Sequence, residues 1–507
     1  MNSQIFLGAF VAYVLVMIGF GWWISRHKRG TGDDFLLGGR SVPIFLTIGT
    51  TVATMVGTGS SMGAVGFGYA NGWAGALYGI GGATGILLLA VCFAPVRKLR
   101  FMTMSEELSY YVGANRLVRN LVALLIYVAC IGWLGAHILG GGLYLSWMAG
   151  IDLDTARVLV ALGFGIYCVI GGYTAVIWTD TVQAVVLFAG FMLMAILALV
   201  QVGGFGGLGA GMDVAATSFL GIDKIGALPA LSLAAVIAVG VLATPSFRQR
   251  IYSGESVSSV RRSFVITGVL YLGFSIIPAI LGMATHALNP GLENSNFAFP
   301  FLATELLPLG LGLLLLVAGL SATMSSASSD AIAGVSTLMR DIYVLFTGRT
   351  PAARNVVRFS RLALVGTIGL ALAFALTSDN LITYITRMIA TIMAGMFVCG
   401  MLGRFWPRYN WQGAVATLAS ASTTSLIIIA NDSWNAYWGN PSIPAVLADL
   451  GGAAHALDER IDAETGAHEP ILFRIGRGDG NRDRAAAVGF GRAGQRRGGG
   501  ESDQRGG

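Results

Sequence analysis

The stretch Gly49-Thr-Thr-Val-Ala-Thr-Met-Val-Gly-Thr-Gly-Ser-Ser-Met-Gly63 interrupts an apolar segment with glycines and hydroxyl side chains. Glycine is a poor helix former, so this segment is not expected to cross a bilayer as one straight helix. Backbone that leaves the helix at membrane depth is tolerated only where it lines a site or a cavity. The stretch therefore predicts a discontinuous membrane helix beside a binding site.

The composition around this stretch is that of a membrane protein. Of the 507 residues, 55% are hydrophobic and 11% are charged. Such a chain is not an ordinary soluble domain, and it is expected to cross the lipid bilayer many times as helices. Each of twelve apolar segments is long enough for a hydrocarbon core of roughly 30 Å. They lie near residues 4–24, 43–65, 72–94, 120–147, 157–174, 179–202, 228–246, 263–287, 306–336, 360–376, 381–402 and 411–430.

Positive charge is concentrated in alternate loops. The loops near residues 24–42, 95–119, 247–262, 335–361 and 403–410 together hold 20 Lys and Arg, whereas the opposite set holds 3, namely Arg157, Lys224 and Arg387. By the positive-inside rule the first set faces the cytoplasm and the N-terminus lies outside. The net charge of +6 thus reflects membrane topology and does not indicate a nucleic-acid partner. The first segment lacks a preceding basic region, so no cleavable signal peptide is expected.

A second, weaker break is predicted at Gly240 and Thr244-Pro245, five segments after the first. Breaks at matching positions of two five-helix halves are typical of inverted-repeat transporters. The predicted organisation is an N-terminal helix and cytoplasmic loop (1–42), a transporter core (43–402, with repeats 43–202 and 228–402), a further C-terminal helix region (403–447) and a disordered tail (448–507).

Hydroxyl side chains are concentrated in one further apolar segment. Ser321, Ser325, Ser326, Ser328, Ser329 and Asp330 follow one another there. An unpaired polar group costs several kcal/mol in hydrocarbon, so such clusters usually line a site. Successive hydroxyls cover more than one helix face and can serve two neighbouring oxygen-ligand sites. The alternative is that they form hydrogen bonds between helices.

Enzyme motifs are missing from the sequence. There is no GxSxG elbow, Walker loop or pair of carboxylates, and the four cysteines lie in apolar segments without CxxC spacing. We therefore expect a protein that is not an enzyme, with buried reduced thiols.

Three separated motifs resemble the sodium:solute symporter family. They are Phe35-Leu-Leu-Gly-Gly-Arg-Ser41, then Gly171-Gly-Tyr-Thr-Ala-Val-Ile-Trp-Thr-Asp-Thr-Val-Gln183, and Ala322-Thr-Met-Ser-Ser-Ala-Ser-Ser329 followed by Arg340-Asp-Ile-Tyr343. Their spacing looks nearest to the choline-transporter branch. The resemblance implies an all-α polytopic membrane protein with a five-plus-five inverted-repeat core and an extra N-terminal helix. It also implies alternating-access symport of a small organic solute with Na⁺ across the cell membrane, without an organic cofactor or an obligatory protein partner.

The resemblance also implies two groups of ion ligands. The first Na⁺ would be held by carbonyls of Ala53, Val56 and Ala322 and by hydroxyls of Ser325 and Ser326. A second Na⁺ would use Asp180, Ser325, Ser328 and Ser329. The alternative for Asp180 is that it caps a helix beginning near Thr181, where acidic residues are favoured.

The solute is expected beside the break in the first core helix. By the resemblance, the candidates are Thr58, Ser60, Ser61, Tyr69, Trp73, Trp133 and His137. Tyr69 and Trp73 are alternatively interfacial aromatics, and His137 is alternatively a packed core residue. A quaternary ammonium such as choline is typically bound by a cage of aromatic side chains. Met55 and Thr244 occupy the positions where the choline-transporter branch carries aromatics, so choline is disfavoured. Sugars are disfavoured too, because Ser60 replaces the sugar transporters' glutamine.

Two other classes of function remain open, a transport-like membrane sensor and a passive channel.

The tail also has two interpretations. From Asp449 to Gly507 the sequence holds 9 Arg and 10 acidic residues without any Lys. One hypothesis is a frameshift near 445–450 that replaced a final apolar helix of about 20 residues. The other is a genuine disordered tail.

Overall fold

A computed structural model describes residues 3–26, 32–305, 308–377 and 381–465. Within these ranges the chain is helical, contains no β-strand, and residues up to Arg460 form one compact unit. A second unit begins at Ile461, and its described part is the end of the last helix.

The helices follow one another along the chain with short connections. The first eight are α1 Ser3–Ser25, α2 Gly32–Leu37, α3 Ile44–Met55, α4 Ala64–Asn71, α5 Ala76–Leu88, α6 Met104–Tyr111, α7 Arg116–Ala149 and α8 Leu153–Gln201. The next seven are α9 Ile222–Ile225, α10 Ala227–Ala243, α11 Pro245–Ser253, α12 Val257–Phe274, α13 Ile276–Leu288, α14 Ala298–Glu305 and α15 Leu309–Thr337. The last seven are α16 Tyr343–Thr347, α17 Ala353–Ala375, α18 Leu381–Met388, α19 Ala394–Phe405, α20 Trp411–Ala430, α21 Asp432–Trp438 and α22 Ser442–Thr465.

Shorter helical turns join several of these helices. Single π-helical turns cover Gly59–Gly63, Leu89–Phe93, Leu338–Ile342 and Ile389–Met393. Three-residue-per-turn (3₁₀) segments cover Gly38–Arg40, Gly72–Gly75, Ala94–Leu99, Phe205–Gly207, Val214–Thr217, Phe219–Gly221 and Ser295–Phe297.

The first core helix is broken where the sequence predicts it. Helix α3 ends at Met55, and Val56 leaves the helical region with φ −85° and ψ 55°. The chain resumes through the π-helical turn Gly59–Gly63 into α4. Ser60 and Ser61 satisfy the opened backbone, because both hydroxyls donate to the carbonyl of Gly57, at 3.0 and 2.7 Å.

The second break lies at Thr244. Helix α10 ends at Ala243, and Pro245 begins α11 at an angle of 44°. Proline is favoured at the first position of a helix because its missing N–H would be unpaired there anyway. The Thr244 hydroxyl returns to the carbonyl of Gly240 at 2.6 Å, which satisfies one acceptor near the break. The predicted break is therefore confirmed.

Nine helical spans in the described residues are long and apolar enough to cross a membrane, and the bent pair α10 and α11 makes a tenth. Each of the twelve predicted segments contains a described helix, but three of the segments are counted differently. Helix α8 has 49 residues and contains a break at Gly172, with φ 59° and ψ −158°, that divides two segments. A straight helix of that length would measure roughly 70 Å, more than twice a bilayer core. The short α3 joins α4 across the first break.

Helix α15 lies at the centre of the molecule. It packs against α7 and α8, and the broken helix α3 packs against α8, α12 and α15. All residues from Leu315 to Thr337 except Val317 are buried. The serine-rich segment is thus placed between α3 and α8, whose polar residues it faces.

The end of the described chain differs from the expectation. Residues 448–465 were predicted to be disordered, but they continue α22, which begins at Ser442. Ala445 and Ala453 are buried, and Asp449 accepts a hydrogen bond from Ser420 of α20 at 2.8 Å. The alanine-rich sequence is compatible with a helix, and packing against α20 orders its first turns. The remaining predicted tail, 466–507, lies outside the described residues.

Candidate functional site

Four oxygen atoms converge where the broken helix meets α15. The Ser325 hydroxyl lies 3.1 Å from the carbonyl oxygen of Ala53 and 3.4 Å from that of Ala322. The Ser326 hydroxyl lies 3.4 Å from the Ala53 oxygen and 3.2 Å from the Ala322 oxygen. All four residues are buried. The structure thus brings together four of the five predicted first-site residues, and the fifth, Val56, lies at the adjacent end of α3.

The spacing of these oxygens suits a hard cation. A Ca²⁺-sized ion, similar in radius to Na⁺, lies about 2.4 Å from each ligand, which separates neighbouring octahedral ligands by about 3.4 Å. The observed separations from the Ser325 and Ser326 hydroxyls are 3.1 to 3.4 Å. The same distances permit hydrogen bonds between the helices. These residues can therefore either bind a cation or form hydrogen bonds between the helices without rearrangement.

A second polar cluster surrounds the carboxylate of Asp180. Its Oδ2 accepts from the hydroxyls of Thr50 at 2.6 Å and Ser329 at 2.9 Å, and its Oδ1 accepts from Ser328 at 3.3 Å. Asp180, Ser328 and Ser329 are the predicted second-site residues that meet here. Ser325, the fourth, directs its hydroxyl to the first cluster, while its carbonyl accepts from Ser328 at 2.9 Å.

The cluster around Asp180 already contains a cation from the chain itself. The guanidinium of Arg250 is buried, and its Nη2 lies 3.6 Å from Asp180 Oδ2. The same nitrogen donates to Thr50, to Thr54 and to Ser329, with oxygens at 2.5 to 3.0 Å. Arg250 belongs to α11, directly after the second helix break. Its hydrogen bonds to Thr50 and Thr54 of α3 therefore link the two broken segments, and the sequence does not predict this role of Arg250.

The capping alternative for Asp180 is wrong. Helix α8 runs through Asp180 without interruption, and its break lies eight residues earlier at Gly172. A residue in the middle of a helix has no free backbone N–H groups to cap. Asp180 instead directs its side chain across to α3 and α15 through Thr50, Ser328 and Ser329.

A cavity of about 50 Å³ lies beside the first helix break. Of the predicted solute residues, Ser60, Trp133 and His137 line it. Thr58 reaches it indirectly, because its hydroxyl lies 3.0 Å from His137 Nδ1. His137 Nε2 in turn lies 3.2 Å from Asp330 Oδ2, so the histidine is not simply packed in an apolar core. Asp330, for which the sequence predicts no role, also lines the cavity.

The other three solute candidates lie away from this cavity. The Ser61 hydroxyl donates to the carbonyls of Gly57 and Thr58. The Tyr69 hydroxyl donates to the carbonyl of Asn289 at 2.9 Å, and Trp73 packs against the edge of the hydrophobic core. Their positions support structural rather than solute-binding roles.

Aromatic and aliphatic side chains that the sequence did not single out complete the cavity wall. They are Tyr78, Ile237, Val241, Phe247 and Tyr271. They come from α5 and from the consecutive helices α10, α11 and α12, which follow α5 by more than 130 residues. Only the packing of those helices around the break brings them together, and no local pattern marks them.

A broken-helix bundle with oxygen clusters at the break defines a class of secondary transporters, and the comparisons with known proteins agree. Over 89% of this chain and 97% of the other, the fold superposes with TM-score 0.74 on a Na⁺-coupled sialic acid symporter in its outward-open state, at 22% sequence identity. A nucleobase-cation-symport-1 family transporter superposes with TM-score 0.57 over 84% and 95% of the two chains, at 14% identity.

The sequence comparisons specify the family. The pattern of the sodium:solute symporter family (SSF) matches residues 35–420. A sodium/glucose cotransporter of Vibrio parahaemolyticus is 24% identical, with 84% of this chain and 85% of that protein aligned. A sodium/proline symporter of Salmonella typhimurium is 26% identical, with 83% and 87% aligned. This chain belongs to the sodium:solute symporter family.

The fold, family and transport class predicted from the sequence are thereby confirmed. The protein is an all-α, multi-pass membrane protein with a five-plus-five inverted-repeat core, and its function is sodium-coupled symport. Its relatives are transporters and not enzymes. The assignment to the choline-transporter branch stays a prediction, because the relatives named here are a glucose and a proline symporter.

Proposed function

We propose that the oxygens of Ala53, Val56, Ala322, Ser325 and Ser326 bind the coupling Na⁺ and that the adjacent cavity binds a small organic solute. One observation supports this most strongly: the two serine hydroxyls of α15 reach the Ala53 carbonyl at the end of α3. Unwound carbonyls at membrane depth are the usual Na⁺ ligands of broken-helix transporters.

The geometry also provides a route for coupling ion and solute. The first cluster and the cavity share one short piece of backbone, because Ser326 contacts the carbonyl of Thr54 at 3.3 Å while the Thr54 side chain lines the cavity. An ion that fixes the end of α3 also fixes one wall of the cavity. Two ligands that stabilise the same arrangement bind with positive cooperativity, and the effect is reciprocal.

We infer that a second Na⁺ binds at Asp180, Ser328 and Ser329 in exchange for the Arg250 guanidinium. Both cations need the same carboxylate oxygen, from which the Arg250 nitrogen is 3.6 Å away. Since Arg250 also bonds Thr50 and Thr54 of α3, such an exchange would release the broken helix from α11. The buried pair would thus be a latch whose opening depends on Na⁺.

The remaining features of the proposal concern topology and partners. The N-terminus lies outside and the arginine-rich loops lie in the cytoplasm, as the charge distribution indicates. Transport across the cell membrane proceeds by alternating access, with the lipid bilayer and the solute as partners. Na⁺ is the coupling ion, and no organic cofactor or obligatory protein partner takes part.

The first-site assignment is tested by the thermal stability of the purified protein in NaCl and in KCl at equal ionic strength. Na⁺ should raise the melting temperature of the wild type, because a ligand that binds only the folded state stabilises it. The rise should shrink in Ser325→Ala and Ser326→Ala. Equal melting temperatures in both salts would remove the basis for the ion site.

Uptake measurements separate a symporter from the alternative functions. A sensor or a channel would respond to Na⁺ without concentrating a solute.

A further inference from the structure

The cavity beside the first helix break contains an acidic oxygen without a partner. Asp330 is 2% exposed, and its Oδ2 contacts His137 at 3.2 Å. Its Oδ1 is buried and has no hydrogen-bond partner among the residues that the structure describes. A buried carboxylate oxygen left unpaired is costly, and such atoms in native proteins call for an explanation such as a ligand.

His137 does not neutralise this carboxylate when its imidazole is neutral. The Thr58 hydroxyl, 3.0 Å from Nδ1, then donates to that nitrogen. The proton on Nε2 is donated to Asp330 Oδ2. Both ring nitrogens are satisfied in this way, since a neutral imidazole offers one acceptor and one donor. In this arrangement His137 supplies a hydrogen bond to Asp330 but no counter-charge.

No other charged side chain balances Asp330 within the cavity. Of the described residues that line it, Asp330 is the one acid, and none is Lys or Arg. The basic group of the neighbouring cluster, Arg250, pairs with Asp180 and donates to Thr50, Thr54 and Ser329. A solute with its own carboxylate would therefore meet no counter-charge here, whereas a cation would.

The remaining wall suits the body of an organic cation. Trp133, Tyr78, Tyr271 and Phe247 line the cavity, and aromatic faces attract cations as well as apolar groups. Trp133 Nε1 is a second buried atom with no partner in the described part of the chain, and it can donate to an oxygen of the solute. Its ring stacks on His137 with an interplanar angle of 16°, which keeps it beside the acid.

We propose that the transported solute is a small organic cation with a protonated amine. An N–H of this amine donates to Asp330 Oδ1. This inference rests on the proposed function, because it assumes that the cavity is the solute site. It defines the solute class by charge, because a sugar brings no positive charge to Asp330 and the carboxylate of a zwitterionic amino acid would need a further counter-charge.

The test is ligand binding by the purified full-length protein in NaCl, with ethanolamine and isobutylamine as probes and choline, proline and glucose as comparison compounds. We expect a primary amine to give saturable thermal stabilisation that depends on Na⁺. Asp330→Asn keeps the shape of the side chain but removes its charge, and it should raise the Kd of the amine at least tenfold. Asp432→Asn, an exposed position on α21, is the matched control and should leave the Kd unchanged.

Each outcome of this experiment decides between the two proposals. The Na⁺-induced stabilisation without any solute tests the ion site, and it should persist in Asp330→Asn, which also shows that the variant folds. If Na⁺ stabilises the protein but proline or glucose binds and the amines do not, the amine assignment is overturned while the ion site stands. Choline binding without amine binding overturns the N–H contact. An unchanged Kd in Asp330→Asn, or no amine binding at all, likewise counts against the inference.

Discussion

At the scale of single residues, the serine hydroxyls of α15 belong to two separate polar clusters. Ser325 and Ser326 face carbonyls of the broken helix, whereas Ser328 and Ser329 face Asp180. The family resemblance predicts two clusters but places Ser325 in both, whereas the structure directs the Ser325 hydroxyl to the first cluster. The sequence does not predict Arg250, because nothing in the spacing between positions 180 and 250 shows that these side chains meet.

Removing one first-site hydroxyl should weaken Na⁺ binding about tenfold, an effect of ~1.4 kcal/mol. Ser325→Ala and Ser326→Ala are the test variants, and Na⁺ titrations of transport or thermal stability provide the measurement. Thr323→Val on the same helix is the control, since among the described residues its hydroxyl bonds the Gly319 carbonyl of α15 alone, at 3.2 Å. Wild-type Na⁺ affinity in both serine variants would show that other oxygens bind the ion.

Asp180→Asn should lower both stability and the number of coupled ions. Breaking a buried ion pair from one side typically costs about 3–5 kcal/mol, because the other charge stays buried without its partner. Adding Arg250→Gln should restore part of the lost melting temperature, as a double-mutant cycle would show. The Hill slope for Na⁺ should also fall toward one in Asp180→Asn. An unchanged slope would mean that no second Na⁺ binds at this carboxylate.

At the scale of elements, the break in the first core helix positions both the ion cluster and the cavity. Its existence follows from the glycines and hydroxyl residues between positions 49 and 63, which form a poor membrane helix. The partners of the break are not visible in that stretch. Met55 and Ser60 line the cavity together with Tyr78 and Tyr271 of other helices, and this arrangement depends on how α5 and α12 pack.

Gly57→Ala should impair Na⁺ binding through sterics alone. A Cβ atom at Gly57 would lie 2.5 Å from the Ser326 hydroxyl oxygen, so that hydroxyl would have to move away from the ion cluster. We expect a reduced Na⁺ response with normal membrane insertion. The matched control is Gly8→Ala in α1, where the new Cβ meets no atom within 4 Å. If Gly57→Ala and Gly8→Ala behaved alike in Na⁺ titrations, the close approach of α3 and α15 would be irrelevant to binding.

At the scale of the whole molecule, the predicted transporter core ends before α20, and the later helices pack on its outside. Truncation after Asn440 removes α22 and should leave Na⁺-coupled uptake within about twofold of the full chain. The melting temperature should fall somewhat, because the hydrogen bond between Ser420 and Asp449 and the burial of Ala445 are lost. Complete loss of uptake by a truncated protein that still reaches the membrane would extend the core to α22.

The stoichiometry sets how strongly the whole molecule can concentrate a solute. A membrane potential of about 100 mV supplies ~2.3 kcal/mol per transported charge. Two charges per cycle supply ~4.6 kcal/mol, equivalent to roughly a two-thousandfold accumulation, and one charge supports only about fiftyfold. One Na⁺ with a cationic solute would move two charges and would give the higher ratio without a second ion.

Uptake of radiolabelled solutes into proteoliposomes tests the central claim most directly. Ethanolamine, proline and glucose are supplied outside with either NaCl or KCl, and internal solute is compared with the equilibrium level. We expect at least one of them to accumulate above the equilibrium level in NaCl and to lose that accumulation when an ionophore collapses the Na⁺ gradient. In Ser325→Ala the accumulation in NaCl should be smaller than in the wild type. Accumulation that is equal in KCl, or that follows an imposed proton gradient instead, would contradict sodium-coupled transport at this site.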